Sequence, residues 1–174
     1  IGRNQSFFTE VNFPHINNGV SVARRSSGGG AVFHDLGNIN YSVIMPRDVF
    51  DRRWAAELVC SGLRDVNAKL FVNERNDICM ADYKVSGSAY RIIREKAYHH
   101  GTMLLSSDMT KLGHFLRSPV EILEAPSITS VRSRVANISP HLHANEFIDL
   151  IVKQFDPTVD IITIPKDIPI STEH

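Results

Sequence analysis

Three consecutive glycines at positions 28 to 30 constrain the fold more than any other stretch of this sequence. Each glycine loses more backbone freedom on folding than another residue would, so the run is costly to order. It follows Arg24 and Arg25, and it precedes an apolar stretch that ends at His34. Backbone N–H groups without intervening side chains can converge on an anion that the arginines bind bidentately. The segment predicts either such a local anion site or a glycine-rich hairpin with two solvated arginines.

The glycine segment matches neither of the common nucleotide fingerprints, GxxxxGK[ST] and GxGxxG. Its glycines precede the strand-like run "AVFHD" instead of following a strand and opening a helix. The local pattern alone therefore leaves both interpretations open.

The composition limits the partners of the chain. With 174 residues, of which 43% are hydrophobic and 22% charged, the chain is typical of one globular domain. Lysine and arginine number 19, and so do aspartate and glutamate. Because no long-range positive field arises, we predict no nucleic-acid partner and no membrane partner, and any anion site must be local.

The cysteines and the start of the chain give two further expectations. Cys60 and Cys79 lie in apolar stretches without CxxC spacing, which predicts reduced core residues in a reducing compartment. No run approaches the roughly 18 apolar residues of a membrane span. The opening "IGRNQSFF" has no initiator methionine, and an apolar residue leads directly into Gly-Arg, as in the middle of a domain. We therefore expect the chain to be a fragment.

Hydrophobic periodicity predicts both strands and helices. Strand-like character marks residues 39–46, 70–72, 78–80, 82–91 and 97–105. Helical spacing marks a short helix capped by Asp108, a last helix ending at Phe155, and a helix from Asp51 whose apolar positions are Trp54, Leu58, Val59, Leu63, Val66 and Leu70. Strands outnumber helices, so the predicted fold class is α/β of the α+β type, with a mixed, largely antiparallel sheet flanked by helices in one domain.

Lys84 is the strongest candidate for chemistry. In "DYKVSGSAYR" the alternation places Lys84, Ser86 and Ser88 on one face of a strand, opposite Val85, Gly87 and Ala89. The small residues leave room above the sheet for a ligand, where a lysine could place its charge on a phosphate and a carbonyl oxygen together. The alternative is a lysine at a strand end that extends to water.

Other polar residues are weaker candidates. Asp77 could hold Mg²⁺ together with substrate phosphates, or it could belong to an Asn-Asp turn. His34, His99 and His100 lack zinc-site spacing, because adjacent strand residues point to opposite faces, so each is predicted to be a core or pocket-wall residue. Arg132 and Arg134 share one side of "SVRSRV" if it is extended, where they either cover an anion or face solvent; we favour solvent.

Taken together, these motifs resemble a known family. "RRSSGGGAVFHDLGN", "RND", "KVSGSAYR", "HHGTMLL" and "ITSVRSRVAN" occur in the order and spacing of lipoate–protein ligase A and the mitochondrial lipoyltransferases. The resemblance extends from residue 1 to about residue 137, and it implies the catalytic-domain fold of the biotin and lipoate ligase superfamily. It also implies an enzyme that activates lipoate with ATP and Mg²⁺ to lipoyl-AMP and passes the acyl group to a lysine of a carrier domain.

The resemblance implies a role for each matching residue. Lys84 is the catalytic lysine, which touches the acyl carbonyl oxygen and the adenylate phosphate. The implied ATP and lipoyl-AMP contacts are Arg25, Gly30, Ala31, Val32, Phe33 and Lys84. The implied lipoate contacts are Lys84, Gly29 and His34. Gly28 and Gly29 serve the shape of the loop, and Asp77 is the candidate Mg²⁺ ligand.

Partners, location and domain content follow from the same resemblance. The implied carriers are the lipoyl domains of 2-oxoacid dehydrogenase E2 subunits and the glycine cleavage H protein. The amino-acid sequence of the motifs resembles that of fungal mitochondrial members more than that of bacterial ones. We therefore expect a mitochondrial protein, with bacterial cytoplasm as the alternative. Residues 1–174 are expected to form a partial catalytic domain without the family's N-terminal segment and C-terminal accessory domain.

Two other functions stay open. One is an octanoyl or lipoyl amidotransferase that moves the acyl group between carriers, which would usually need a cysteine nucleophile. The other is a noncatalytic module that binds a lipoyl group or a nucleotide.

Overall fold

A computed structural model of the chain describes residues 1–16, 19–116, 129–139, 141–158 and 160–164. Its helices are α1 (Phe7–Glu10), α2 (Arg52–Gly62), α3 (Met109–Phe115) and α4 (Ala144–Phe155). Its strands are β1 (Asn38–Pro46), β2 (Leu70–Val72), β3 (Ile78–Met80), β4 (Tyr83–Ser86), β5 (Ser88–Ile93) and β6 (Lys96–Leu104). Within these ranges, no helix combines the length and the apolar content needed to cross a membrane.

The strands form two antiparallel sheets. The larger has the order β1-β6-β5, and Asn38 pairs with Leu104 at one end of the β1–β6 ladder. The smaller has the order β2-β3-β4. One parallel bridge joins Lys84 of β4 to Val135, in the described part of the loop predicted over residues 118–140; residues 117–128 and 140 lie outside the described ranges. The predicted mixed, largely antiparallel architecture is confirmed.

The predicted helix from Asp51 is correct at its start and wrong at its end. The Asp51 side chain accepts hydrogen bonds from the backbone N–H groups of Arg53 and Trp54, as an N-cap does. The helix ends at Gly62, and Leu70 already belongs to β2. A Cβ at Gly62 would lie 3.1 Å from side-chain atoms of α4, so the helix ends where it crosses α4 closely.

The buried face of α2 also differs from the predicted one. Trp54, which we expected on the apolar face, is 48% exposed. The buried side chains of the helix are Ala55, Ala56, Val59 and Cys60. Since residues four apart share a helix face, these small residues define the buried face and allow α2 to approach the sheet closely. The Trp54 side chain lies outside this buried face.

The hydrophobic core lies between the sheets, α2 and α4. Its largest fully buried side chain is Phe147 of α4, which packs against Tyr41 of β1 with ring centroids 6.4 Å apart. Cys60 and Cys79 are free and buried, and burial raises the pKa of both thiols. The prediction of reduced core cysteines is confirmed.

The predicted strand near residues 97–105 contains a buried histidine. His99 of β6 is fully buried, and its ring stacks on Tyr41 at 6.2 Å between centroids. Neither ring nitrogen has a hydrogen-bond partner among the described residues. Burial, reinforced by the positive charge of Arg52, lowers the pKa of His99 to about 4. His99 is therefore a neutral core residue in the folded protein.

The buried His99 predicts acid sensitivity. Unfolding restores an ordinary histidine pKa of about 6.5, so between that pH and about pH 4 the unfolded state binds more protons and stability falls as the pH falls. We expect the free energy of unfolding to drop by about 2 kcal/mol between pH 7 and pH 5. Urea unfolding at both values measures this drop. A His99→Phe variant that shows the same drop would contradict the assignment.

Candidate active site

The glycine loop is folded around the side chain of Arg25. Its Nη2 donates hydrogen bonds to the carbonyl oxygens of Gly28 at 2.6 Å and Gly30 at 2.7 Å. Burial lowers the pKa of this guanidinium, and its buried Nη1 has no partner among the described residues. A buried donor without a partner is costly unless a ligand satisfies it. Arg25 therefore shapes the loop and keeps one donor available.

The Arg24 side chain binds carbonyls at the start of the chain, unlike that of Arg25. Its Nη1 donates to the backbone carbonyls of Gly2, Arg3 and Gln5, at 3.0, 3.1 and 2.6 Å. Arg24 thus ties the glycine segment to the start of the chain. The alternative of two solvated arginines is wrong for Arg25, which is half-buried on its own loop, whereas Arg24 stays exposed while it binds backbone carbonyls.

The three glycines are not equivalent. Gly29 has a φ of +87°, in the left-handed region that favours glycine, and a Cβ there would lie 2.9 Å from Nη2 of Arg25. A Cβ at Gly30 would lie 2.9 Å from Oγ of Ser130, whereas a Cβ at Gly28 would meet nothing within 4 Å. The loop shape therefore requires glycine at position 29, and close packing requires it at position 30.

A hydrogen-bond network centred on Ser130, which the sequence did not indicate, anchors the glycine loop. Ser130 Oγ accepts from the N–H of Ala31 at 2.9 Å and from Nε2 of Gln5 at 3.0 Å. The N–H of Ser130 donates to Oε1 of Glu10 at 3.0 Å, and Glu10 is 6% exposed. Ser130 lies within the motif "ITSVRSRVAN" and Gln5 within the range of the resemblance, but nothing in the spacing predicted their contact across the chain.

Lys84 is held through its backbone and its side chain. Its N–H donates to the carbonyl of Arg134 at 2.8 Å, and its carbonyl accepts from the N–H of Ala136 at 3.1 Å. Its Nζ lies 3.0 Å from Oδ1 of Asp77, and its side chain is 21% exposed. A Cβ at Gly87 would lie 2.8 Å from Cε of Lys84, so the lysine passes directly over this glycine.

The predicted continuous strand around Lys84 is wrong. Strand β4 ends at Ser86 and β5 begins at Ser88, because the chain crosses from the smaller sheet to the larger one at Gly87. Gly87 therefore lies under the lysine side chain instead of on the opposite face. Ser86 is buried, and its Oγ hydrogen-bonds the Tyr41 hydroxyl at 3.1 Å. Ser86 thus supports the site from inside.

Two cavities meet at Lys84. The first, of about 590 Å³, combines apolar side chains of the loop, β6 and α3, including Phe33, Leu104 and Leu112, with polar ones such as Glu10 and Arg132. The second, of about 720 Å³, is lined by cationic and polar side chains, including Arg25 and His100. The residues that line both are Ala31, Val32, Lys84, Gly87, Thr102, Ser130 and Val131. The two cavities therefore form one continuous space with the Lys84 ammonium at their junction.

The structure brings all the predicted site residues to these cavities. Phe33 lines the first, and Lys84, Ala31 and Val32 line both. The second alone is lined by Arg25, Gly29, Gly30, His34 and Asp77. Residues 50 or more positions apart in the sequence therefore form one continuous surface.

Two histidines and two arginines lie around the cavities. His100 Nε2 hydrogen-bonds Ser27 Oγ at 2.6 Å, and His34 Nδ1 accepts from Asn38 Nδ2 at 2.7 Å. Burial lowers the pKa of both histidines. Arg132 is exposed and lines the first cavity, and Arg134 is exposed and contributes its carbonyl to Lys84. In the described part of the chain, no three His, Cys, Asp or Glu residues come together as a metal site.

The fold and the site define the class of protein: a mixed α/β protein whose glycine loop and central lysine border two adjoining cavities. The chain belongs to the lipoyl protein ligase A/B catalytic domain family, whose model matches residues 1–156. The predicted family is confirmed.

The relatives in sequence carry the same name. The chain is 40% identical over 159 residues to lipoate-protein ligase A of Blochmanniella floridana, which covers 88% of the chain and 47% of that protein. A Schizosaccharomyces pombe protein that bears this name provisionally is 43% identical over 158 residues, covering 89% of the chain and 43% of that protein. The chain thus spans less than half the length of these two relatives.

Solved structures share the fold. A bipartite lipoate protein ligase from Thermoplasma acidophilum, described with its E2 lipoyl domain, has a TM-score of 0.76 and 31% identity, covering 90% of this chain and 65% of that one. A lipoate-protein ligase A bound with ATP has a TM-score of 0.73 and 29% identity, covering 90% and 66%. Plasmodium falciparum LipL1 in complex with lipoate has a TM-score of 0.74 and 29% identity, covering 94% and 48%.

Proposed function

We propose that this chain is part of an enzyme of protein lipoylation, which forms lipoyl-AMP from lipoate and ATP, transfers the lipoyl group to a carrier lysine, or does both. The observation that carries the proposal is the position of Lys84 at the junction of two cavities. Family membership supports it, as do the related structures that contain lipoate or ATP.

Activation requires two anions to approach each other. A carboxylate oxygen of lipoate attacks the α-phosphorus of ATP, the new bond makes a mixed anhydride, and pyrophosphate leaves. The Lys84 ammonium stands between the cavities, where it lowers the repulsion between carboxylate and phosphate. The Nη1 of Arg25, which has no partner among the described residues, is a further donor for the anion.

Transfer uses the same lysine in a second way. The amine of the carrier lysine attacks the acyl carbon, an amide bond forms, and AMP leaves with the electron pair of the anhydride bond. Negative charge builds on the acyl oxygen and on the departing phosphate, and a cation between the two stabilises both. This route needs no covalent intermediate on the enzyme.

The buried cysteines favour this route over the amidotransferase alternative. Burial raises the pKa of the Cys60 and Cys79 thiols, and a raised pKa disfavours the reactive thiolate. Neither cysteine lines either of the two cavities that meet at Lys84.

We propose that Mg²⁺ binds together with ATP. Mg²⁺ binds through one or two carboxylates plus substrate phosphates, and it would neutralise charge on the triphosphate. Asp77 lines the second cavity, so it stays the predicted carboxylate for this role. Its ion pair with Lys84 means that a metal there would have to displace the ammonium or lie beside it.

The proposed carriers are the lipoyl domains of 2-oxoacid dehydrogenase E2 subunits and the glycine cleavage H protein. The Thermoplasma acidophilum ligase described with its E2 lipoyl domain supports the first of these. We propose a mitochondrial location, with bacterial cytoplasm as the alternative, on the likeness of the motifs to those of fungal mitochondrial members.

A carrier-modification assay tests the proposed function. The chain is incubated with apo lipoyl domain and either lipoate, ATP and Mg²⁺ or synthetic lipoyl-AMP, and the carrier mass is followed. We expect modification at least with lipoyl-AMP; modification in both mixtures identifies a ligase, and modification with lipoyl-AMP alone identifies a transferase. An unmodified carrier in both mixtures, with either ligand bound, would identify a binding module instead.

A further inference from the structure

The backbone of Asp77 is held on both sides by its own turn. The N–H of Asp77 donates to Oδ1 of Asn73 at 3.0 Å, and the N–H of Asn73 donates to the carbonyl of Asp77 at 3.0 Å. Between them, Asn76 adopts a φ of +61°, and its carbonyl accepts from Ser88 Oγ at 3.0 Å. The turn is thus fixed by bonds within itself and by a bond to β5.

The ionic partner of the Asp77 carboxylate is Lys84. The Asp77 side chain is 6% exposed, and Oδ1 lies 3.0 Å from Nζ of Lys84. The bond between Cys79 and Asp77, from the thiol to the backbone carbonyl, leaves the carboxylate unaffected. A buried carboxylate is stable when it is paired, so the pair is a strong constraint on both residues.

Lys84 is restrained on two further sides. Its backbone is bonded to residues 134 and 136, and its Cε lies directly over Gly87. A free lysine side chain has four rotatable bonds and loses considerable rotamer entropy when it is immobilised. The aspartate, the glycine below it and the backbone bridge have already fixed the ammonium between the two cavities before any ligand enters.

We infer that Asp77 is the positioning residue of Lys84: its carboxylate holds the ammonium where the acyl oxygen and the adenylate phosphate meet. This inference rests on the proposed function and gives Asp77 a role in the transfer step, where no metal is required. Orienting a group in advance lowers the barrier, because the entropy of orientation is lost before the reaction. A role as Mg²⁺ ligand would instead confine Asp77 to the ATP-dependent step.

The two roles separate in a metal-free transfer assay. Asp77→Asn keeps the size of the side chain and removes its charge. With saturating synthetic lipoyl-AMP, apo lipoyl domain and EDTA, we expect Asp77→Asn to lower kcat about ten- to a hundredfold, the usual loss for one charge-assisted contact, with little change in the KM for the apo lipoyl domain. Asp82→Asn, an exposed aspartate in the turn between β3 and β4, is the matched control and should react like the parent.

A binding measurement makes the result independent of turnover. Calorimetry with a sulfamoyl analogue of lipoyl-AMP is carried out on Asp77→Asn, Lys84→Met and the double variant. We expect both single variants to bind more weakly, and the double variant to bind no more weakly than Lys84→Met, because Asp77 acts through Lys84. Thermal melting confirms that each variant is folded.

Several outcomes would overturn the inference. Full metal-free transfer by Asp77→Asn would do so, as would a defect confined to the ATP reaction and reversed by raised Mg²⁺. Additive losses in the double variant would show that Asp77 acts on the ligand without Lys84. If the parent binds the analogue and never modifies the carrier, the proposed function fails, while the coupling of Asp77 to Lys84 is still decided by the calorimetry.

Discussion

Replacing Lys84 with alanine is expected to reduce lipoyl transfer from lipoyl-AMP at least about a hundredfold. The lysine is proposed to make two charge-assisted contacts, one to the acyl oxygen and one to the phosphate, and each such contact contributes about 1.5 to 3 kcal/mol. Its ammonium lies where the two cavities meet, and among the described residues no other cation lines both of them. The rate of carrier modification, followed by mass spectrometry under single-turnover conditions, measures the loss.

Two further variants make the Lys84 result specific. Arg132 lines the first cavity and is exposed, so Arg132→Ala should keep measurable activity. Lys84→Ala also leaves Asp77 buried without its partner, which itself destabilises the fold. Lys84→Arg keeps a cation opposite Asp77, and it should fold and still transfer poorly, because a planar guanidinium does not replace a compact ammonium. Parent-like transfer by folded Lys84→Ala would contradict the mechanism.

Replacing Gly101 with alanine is expected to destabilise the fold by about 3 kcal/mol, the upper end of the usual cost of overpacking a core. Gly101 lies in β6 opposite Tyr41 of β1. A Cβ at this position would lie 2.8 Å from Cε1 of Tyr41 and still closer to the phenolic end of that ring. Tyr41 cannot move aside cheaply, since it is bonded to Ser86 and packs on Phe147. Urea denaturation of the variant and the parent measures the difference.

Gly113 provides the matched control for Gly101. It lies in α3, and a Cβ there would meet nothing within 4 Å. Alanine in a helix interior is favoured over glycine by roughly 0.5 to 1 kcal/mol, so Gly113→Ala should stabilise the chain slightly. If both variants were equally stable, the close packing of Tyr41 against β6 would be refuted.

Local chemistry accounts for what the sequence predicted correctly. The strand over residues 39–46 follows from β-branched and aromatic residues, the helix from Asp51 follows from its periodicity, and the Asp108 cap follows from a side chain that accepts N–H groups two or three residues away. Each of these signals depends on neighbours in the chain. The family resemblance likewise depends on the order of motifs, and it identified the residues that line the two cavities.

Packing accounts for the errors. The end of α2 at Gly62 lies where the helix packs closely on α4, and Asn67, whose Oδ1 accepts the N–H of Lys69, turns the chain toward β2. The break between β4 and β5 occurs because one chain segment serves two sheets, whereas alternation alone predicts one strand. In both places a local period continues in the sequence after the structure has changed direction.

The sequence by itself determined the family, the mixed sheet with its helices, and the residues that could carry chemistry, because motifs, caps and periodicity act over a few positions. Only the tertiary structure decided how those residues cooperate. Arg25 turned inward onto its own loop, Ser130 reached Ala31 across 99 positions, and Asp77 met Lys84 instead of solvent. Such pairings depend on how distant segments pack, and the free energy of packing is shared across the whole core.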